Sequence, residues 1–215
     1  MKPLRSAGGK GVKMVDVFSG NKDYSQMLFE EYPRGFVLEE RINQVEEMSS
    51  IHKCSVNTIR IQTVNYGDSV EIKWPCLRMG RGDSVVDNVF AGGVFVGVDV
   101  KTGKTFGPGK DASGHSFTEH PDSNVKLDGF QIPRWKELCG LLEEMAKLCP
   151  TCRVVGWDMA LTESGWMMVE ANFGPELILQ DVSPVGFYDD FLRVRKNLHA
   201  GRFKGYTRKS QFRPY

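Results

Sequence analysis

The chain has 215 residues, 40% hydrophobic and 26% charged, which is ordinary globular composition and length enough for one good core or two small lobes. Lys and Arg total 28 against 27 for Asp and Glu, so a formal net charge of +1 excludes a global field that would draw in nucleic acid or an acidic membrane. No apolar run approaches the roughly 20 residues of a membrane span, and Met1-Lys2-Pro3-Leu4-Arg5 lacks the apolar core of a signal peptide, so the expected location is cytoplasmic.

Lys2 to Lys13 reads KPLRSAGGKGVK, a loop rich in glycine and cations, and Val12 to Phe18 alternates as a strand does. Gly8, Gly9 and Gly11 let backbone N–H groups approach an anion without Cβ obstruction, and Lys2, Lys10 and Lys13 add positive charge, so a polyphosphate fits there. The loop is not of the Walker type, since no Lys-Ser or Lys-Thr follows the glycines. A short helix is expected over Asp23 to Tyr32, capped by Asp23 and stopped by Pro33, followed by a strand, GFVLEE, that ends in acids. Glu39, Glu40 and Glu46 around Arg41-Ile42 suit a purine edge and a ribose, or equally an exposed acidic helix start.

From Ser55 the pattern becomes that of an antiparallel meander: NTIRIQTV, VEIKWPCLRMG and GGVFVGVDV, separated by turn signals. Arg60 and Arg78 are candidates for gripping a phosphoryl group or a carboxylate through their bidentate forks, or for salt bridges on a sheet face. Gly92 and Gly93 allow close backbone approach. Periodicity then disappears from Lys104 to Pro133, a length that marks a functional or disordered loop. His120, Lys126 and Arg134 on or after it are substrate-side candidates, His120 equally a turn residue beside Pro121.

Trp135, Leu138, Leu141, Leu142, Met145 and Leu148 fall at spacings of three and four, which predicts a helix over Arg134 to Leu148 with its stripe against the sheet. Five cysteines form an odd set, and Cys149-Pro-Thr-Cys152 lacks a second pair for a zinc site, so reduced thiols at a helix end are expected. Two strand runs between Val154 and Asn172 flank Thr162-Glu-Ser-Gly165, and Phe187 to Leu198 is a last amphipathic helix. A three-residue loop of Glu163, Ser164 and Gly165 sets Thr162 against Trp166 and hence Asp158 against Glu170, with Asn172 on the same face. Two carboxylates about 5 Å apart repel unless a hard cation such as Mg²⁺ sits between them. Taken alone, this spacing describes a solvated hairpin more often than a metal site.

In order, KPLRSAGGKGV, FVLEERI, NTIRIQT, DNVFAGG, HPDSNVKLDGFQIP, GWDMAL and MVEANFGPE resemble the ATP-grasp superfamily, in its sugar-transfer-associated, glutamate-ligase-like branch, over Lys2 to about Pro184. The resemblance implies an α+β ATP-grasp fold, mainly antiparallel sheet with flanking helices. It divides the chain into a partial nucleotide-lid subdomain (1–42), a C-terminal subdomain with the metal site (43–200) and a basic aromatic tail (201–215). It also implies ATP phosphates on Lys2, Gly8, Gly9, Lys10 and Gly11, with Asn88 completing the phosphate end and Gly92 and Gly93 beside the nucleotide, adenine at Glu39, Glu40 and Ile42, ribose near Glu46, and Mg²⁺ on Asp158, Glu170 and Asn172. In such enzymes a small-molecule carboxylate is activated as an acylphosphate and captured by an amine or other nucleophile, here with a link to polysaccharide biosynthesis.

Because Met1 directly precedes the lysine block, the chain reads as N-terminally truncated, which predicts a lid-sheet edge covered by a second copy or a partner chain. Truncation also supports the alternative of a non-catalytic nucleotide-binding or regulatory module. A third reading, anionic-surface or nucleic-acid binding, rests on Arg202, Lys204, Arg208, Lys209 and Arg213 alternating with Phe203, Tyr206, Phe212 and Tyr215. A docking tail packed on its own domain explains that segment better, so no nucleic-acid partner is expected.

Overall fold

The computed structural model describes residues 1–5, 8–16, 24–173, 177–183 and 186–200. Two short strands, β1 (Lys2–Pro3) and β2 (Phe36–Val37), pair antiparallel beside helix α1 (Tyr24–Glu31). Helix α2 (Glu46–Ser49) leads into strands β3 (Thr58–Asn65), β4 (Val70–Met79), β5 (Val94–Val98), β6 (Thr105–Lys110) and β7 (Ser116–Phe117). Helix α3 (Trp135–Leu148), strands β8 (Val154–Thr162) and β9 (Gly165–Phe173) and helix α4 (Tyr188–Ala200) complete the chain. The large sheet has seven strands in the order β7-β6-β5-β4-β3-β8-β9, and every neighbouring pair is antiparallel. This is an α+β arrangement.

The two faces of the sheet differ in what covers them. On one, Ile59, Ile61, Leu77, Met79, Val94, Val96, Trp157 and Met159 pack with Trp135, Leu138 and Leu142 of α3 and with Met48 and Ile51 near α2. Burying each large apolar side chain of α3 contributes about 1.5–3 kcal/mol, which is why the helix forms where its stripe meets the sheet. On the other face Cys76, Val89, Phe95, Val182 and Phe187 cluster, with Trp74 stacked on Phe187 at 5.1 Å between ring centroids. All eight residues of β3 are buried, because it is central and covered on both sides. Its polar residues Thr58, Arg60 and Gln62 alternate with Ile59 and Ile61 and therefore lie on the second face.

Three expectations from the sequence are corrected. Residues 12–16 form no strand; Lys13 instead exchanges backbone hydrogen bonds with Met1, and residues 17–23 lie outside those described. The stretch from Lys104 to Pro133 is not structureless, since it holds β6, β7 and the isolated bridges Lys104↔Gln131 and Glu119↔Lys126. Gly107-Pro108-Gly109 hid β6: the register shifts there against β5, and Pro108, which cannot donate to a ladder, sits in the irregularity. The hairpin between β8 and β9 turns through Glu163-Ser164 alone, so Thr162 faces Gly165 rather than Trp166. The capping role of Asp23 and the basic tail 201–215 fall outside the described residues.

Candidate active site

A bulge at Val169 restores the register that the shorter turn removes. Leu161↔Trp166 and Met159↔Met168 follow the turn, but past the bulge Asp158 pairs with Glu170 and Gly156 with Asn172. Asp158, Glu170 and Asn172 therefore share the second face, as expected from the sequence. With its amide turned so that both contacts are satisfied, Asn172 Oδ1 accepts from Arg60 Nη1 at 3.1 Å and its Nδ2 donates to Glu170 Oε1 at 3.2 Å.

Arg60 and Arg78 converge on the same carboxylate from β3 and β4. Arg60 Nε lies 2.6 Å from Asp158 Oδ1, and Arg78 Nη2 donates to Asp158 Oδ2 at 3.0 Å. Both guanidiniums are buried, and Asp158 is only 2% exposed. In this state the two arginines thus make the sheet-face ion pairs that the sequence offered as their alternative role. Burial raises the Asp158 pKa to about 6, against the opposing pull of Arg78 and Arg60 and with the repulsion of Asp87 and Glu170.

Asp87 and Thr58 complete the cluster. Arg78 Nη2 lies 3.4 Å from Asp87 Oδ1 and 3.2 Å from Thr58 Oγ1, and the Thr58 hydroxyl donates to Asp87 Oδ2. Neither residue was singled out in the sequence, although period-two alternation puts Thr58 on the face of Arg60, and Asp87 precedes Asn88. Asp87, Asp158 and Glu170 against Arg60 and Arg78 leave a formal surplus of one negative charge, with Asp87 and Asp158 buried and Glu170 exposed.

That surplus suits a cation. Among the described residues no group of three or more His, Cys, Asp or Glu is gathered for a metal. Two carboxylates and an amide are instead the small, oxygen-only donor set that fits Mg²⁺, which keeps several waters and shares phosphate oxygens.

The glycine loop lies against the same region. Gly8 is within 3.9 Å of the Asn88 side chain, measured from where its Cβ would stand, and Gly9 would meet Val86 at 3.0 Å. Both glycines have positive φ, as does Gly11, whose carbonyl accepts from Tyr32 Oη at 2.7 Å. The loop therefore rests on residues 86–88, whose middle residue, Asp87, is a partner of Arg78. Lys2 of β1 pairs with Glu39, two residues beyond β2, at 2.7 Å, both well exposed, which brings together one expected phosphate residue and one expected adenine residue. Glu40 is exposed and Ile42 half-buried in the segment that joins the two sheets.

Other expected residues have structural occupations. Asn88 caps a 3-10 turn, Val89–Ala91, by accepting from Phe90 N. A Cβ on Gly93 would stand 2.7–2.9 Å from the carbonyl oxygens of Asp87, Met79 and Asn88, so the close approach it allows is to this chain's own backbone. His120 is fully buried, donating Nε2–H to Gly80 O and accepting Asp122 N–H at Nδ1, which is the turn role. Arg134 pairs with Glu137 on the surface. Glu46 stands at the start of α2 and lines a cavity of about 520 Å³ with Ser49, His52, Lys53, Gly82 and Asp122. That cavity shares no residue with the Asp158 cluster, and the cluster has the stronger chemical claim because only it combines buried charge with metal-type donors.

The model of one protein family, described as sugar-transfer associated ATP-grasp, matches residues 1–188. No curated protein and no solved structure matches the chain.

Proposed function

The chain belongs to the sugar-transfer associated ATP-grasp family, with the ATP-dependent, ligase-like chemistry and divalent-metal use general to it, and from that membership we propose a specific reaction. The protein activates a small-molecule carboxylate with ATP and Mg²⁺ as an acylphosphate, which an amine or other nucleophile captures, in the building of a polysaccharide. The single observation that carries this reading is the pairing of Asp158 with Glu170, with Asn172 on the same face and two arginines behind them.

Asp158, Glu170 and Asn172 hold Mg²⁺, which supplies charge neutralisation on the ATP phosphates. Residues 1–42 form the lid: Gly8, Gly9, Lys10 and Gly11 present N–H groups and cationic charge to the phosphates, Glu39 to Ile42 line the adenine and Glu46 the ribose. Arg78, fixed by Thr58 and Asp87, and Arg60, fixed by Asp158 and Asn172, supply cationic charge facing the transferring phosphoryl group. The substrate carboxylate oxygen attacks the γ-phosphorus, ADP leaves, and catalysis is positioning plus electrostatics.

A screen of carboxylates against amines for ADP release tests the reaction. The expected result is ADP formed only with ATP, Mg²⁺ and one carboxylate together, and lost in Glu170→Gln. The commitment of both guanidiniums to Asp158 favours one second reading, a nucleotide-binding module without turnover. ATP binding with no ADP across a broad panel would support it over the ligase.

A further inference from the structure

Cys149 and Cys152 take no part in the site described above. Both are thiols, and their sulfurs are 3.1 Å apart within an S–H···S contact. The approach is built into the backbone. Cys149 ends α3, and Cys152 N–H donates to Cys149 O at 2.9 Å, closing a turn through Pro150 and Thr151. Proline at the second position of such a turn fixes φ in advance, and the ends of a β-turn lie within 7 Å, inside the Cα separation a disulfide spans. Exposure differs usefully: Cys149 is open to solvent, whereas Cys152 is half-buried against the main core.

We propose that Cys149 and Cys152 form a thiol–disulfide exchange site that takes small-molecule disulfides, Cys149 attacking and Cys152 resolving.

The electrostatics agree with the geometry. The contact with Cys152, then that with Thr151, holds the Cys149 thiol below its ordinary range, while the same contact followed by burial pushes the Cys152 thiol up. The Cys149 thiolate attacks one sulfur of the disulfide RSSR, its S–S bond breaks, and RS⁻ leaves and takes a proton. Cys152 gives its proton to solvent and its thiolate attacks Cys149 Sγ, expelling the second RS⁻. Two protein thiols are thereby oxidised to one disulfide, and RSSR is reduced to two RSH. The product closes the junction between α3 and β8, six residues before Asp158 in sequence.

The test is peptide mapping of the native full-length chain after incubation with oxidised glutathione and alkylation of the remaining thiols. The expected result is a 149–152 peptide lighter by two hydrogens, resistant to alkylation and restored by dithiothreitol. Exposed Cys54, with no neighbouring thiol in its turn, keeps a glutathione adduct under the same conditions. In Cys152→Ser the adduct persists on Cys149, whereas in Cys149→Ser little forms on Cys152. A glutathione adduct that persists on Cys149 in the unaltered chain, or alkylation of Cys149 and Cys152 no slower than that of Cys54, overturns the proposal. None of these readouts depends on ATP.

Discussion

At the scale of single residues, the cluster around Asp158 is costly as a stabilising device, which the proposed site role explains. A carboxylate 2% exposed with its pKa raised to about 6 is poorly compensated, even with two guanidiniums beside it. Thr58 is the joint that ties Arg78 to Asp87, accepting from Arg78 and donating to Asp87. Thr58→Val leaves the shape and removes the hydroxyl, so it is expected to lower stability by roughly 1–3 kcal/mol in urea denaturation. His120 gives a pH dependence away from the carboxylates. Burial lowers its pKa, and its neutral form satisfies both ring nitrogens. A depressed folded-state pKa means that its contribution is complete above the unfolded imidazole pKa and is lost as pH falls through the folded value. Asp158, with its pKa raised to about 6, takes up a proton in the folded state over the same range and offsets part of this, so the effect is read as a difference: the urea midpoint is expected to drop more from pH 7.5 to pH 5.5 in the unaltered chain than in His120→Gln, and an equal drop would contradict the assignment.

At the scale of elements, glycines separate packing from propensity. Gly93 is surrounded by three backbone oxygens that cannot yield, so Gly93→Ala is expected to lower the melting temperature by several degrees, corresponding to about 1–3 kcal/mol. Gly140 lies inside α3 and is exposed with nothing within 4 Å of its would-be Cβ. Gly140→Ala is expected to stabilise the protein by about 0.5–1 kcal/mol, read by the same thermal scan. The elements also show what the sequence made legible. The stripe of α3 was readable because Trp135, Leu138 and Leu142 meet a flat apolar face. β6 was not, because a bulge at Gly107-Pro108-Gly109 looks like a turn when its neighbours β5 and β7 are unknown. The pairing of Asp158 with Glu170 was reached through two errors that cancel: the turn is one residue shorter than expected, and the bulge at Val169 adds that residue back. Local turn chemistry gives no signal for such a bulge, whereas alternation on the two strands constrains which side chains must share a face.

At the scale of the whole molecule, segments distant in the chain converge on one carboxylate. A glycine loop near the start of the chain rests on residues 86–88, these hold Arg78, and Arg78 holds an aspartate on β8. Arg60, Arg78 and Asp158 were each identifiable as candidates in the sequence, but that both arginines hold Asp158 was not, since 80 residues separate Arg78 from Asp158. The most direct measurement of the account's central claim is calorimetric titration of ATP into the protein with and without Mg²⁺. Binding is expected in Mg²⁺, weakened at least tenfold by its removal, and weakened comparably in Asp158→Asn and Glu170→Gln variants whose folding is verified by circular dichroism. ATP affinity unchanged in both variants would contradict the assignment of Asp158 and Glu170 as the metal-holding pair.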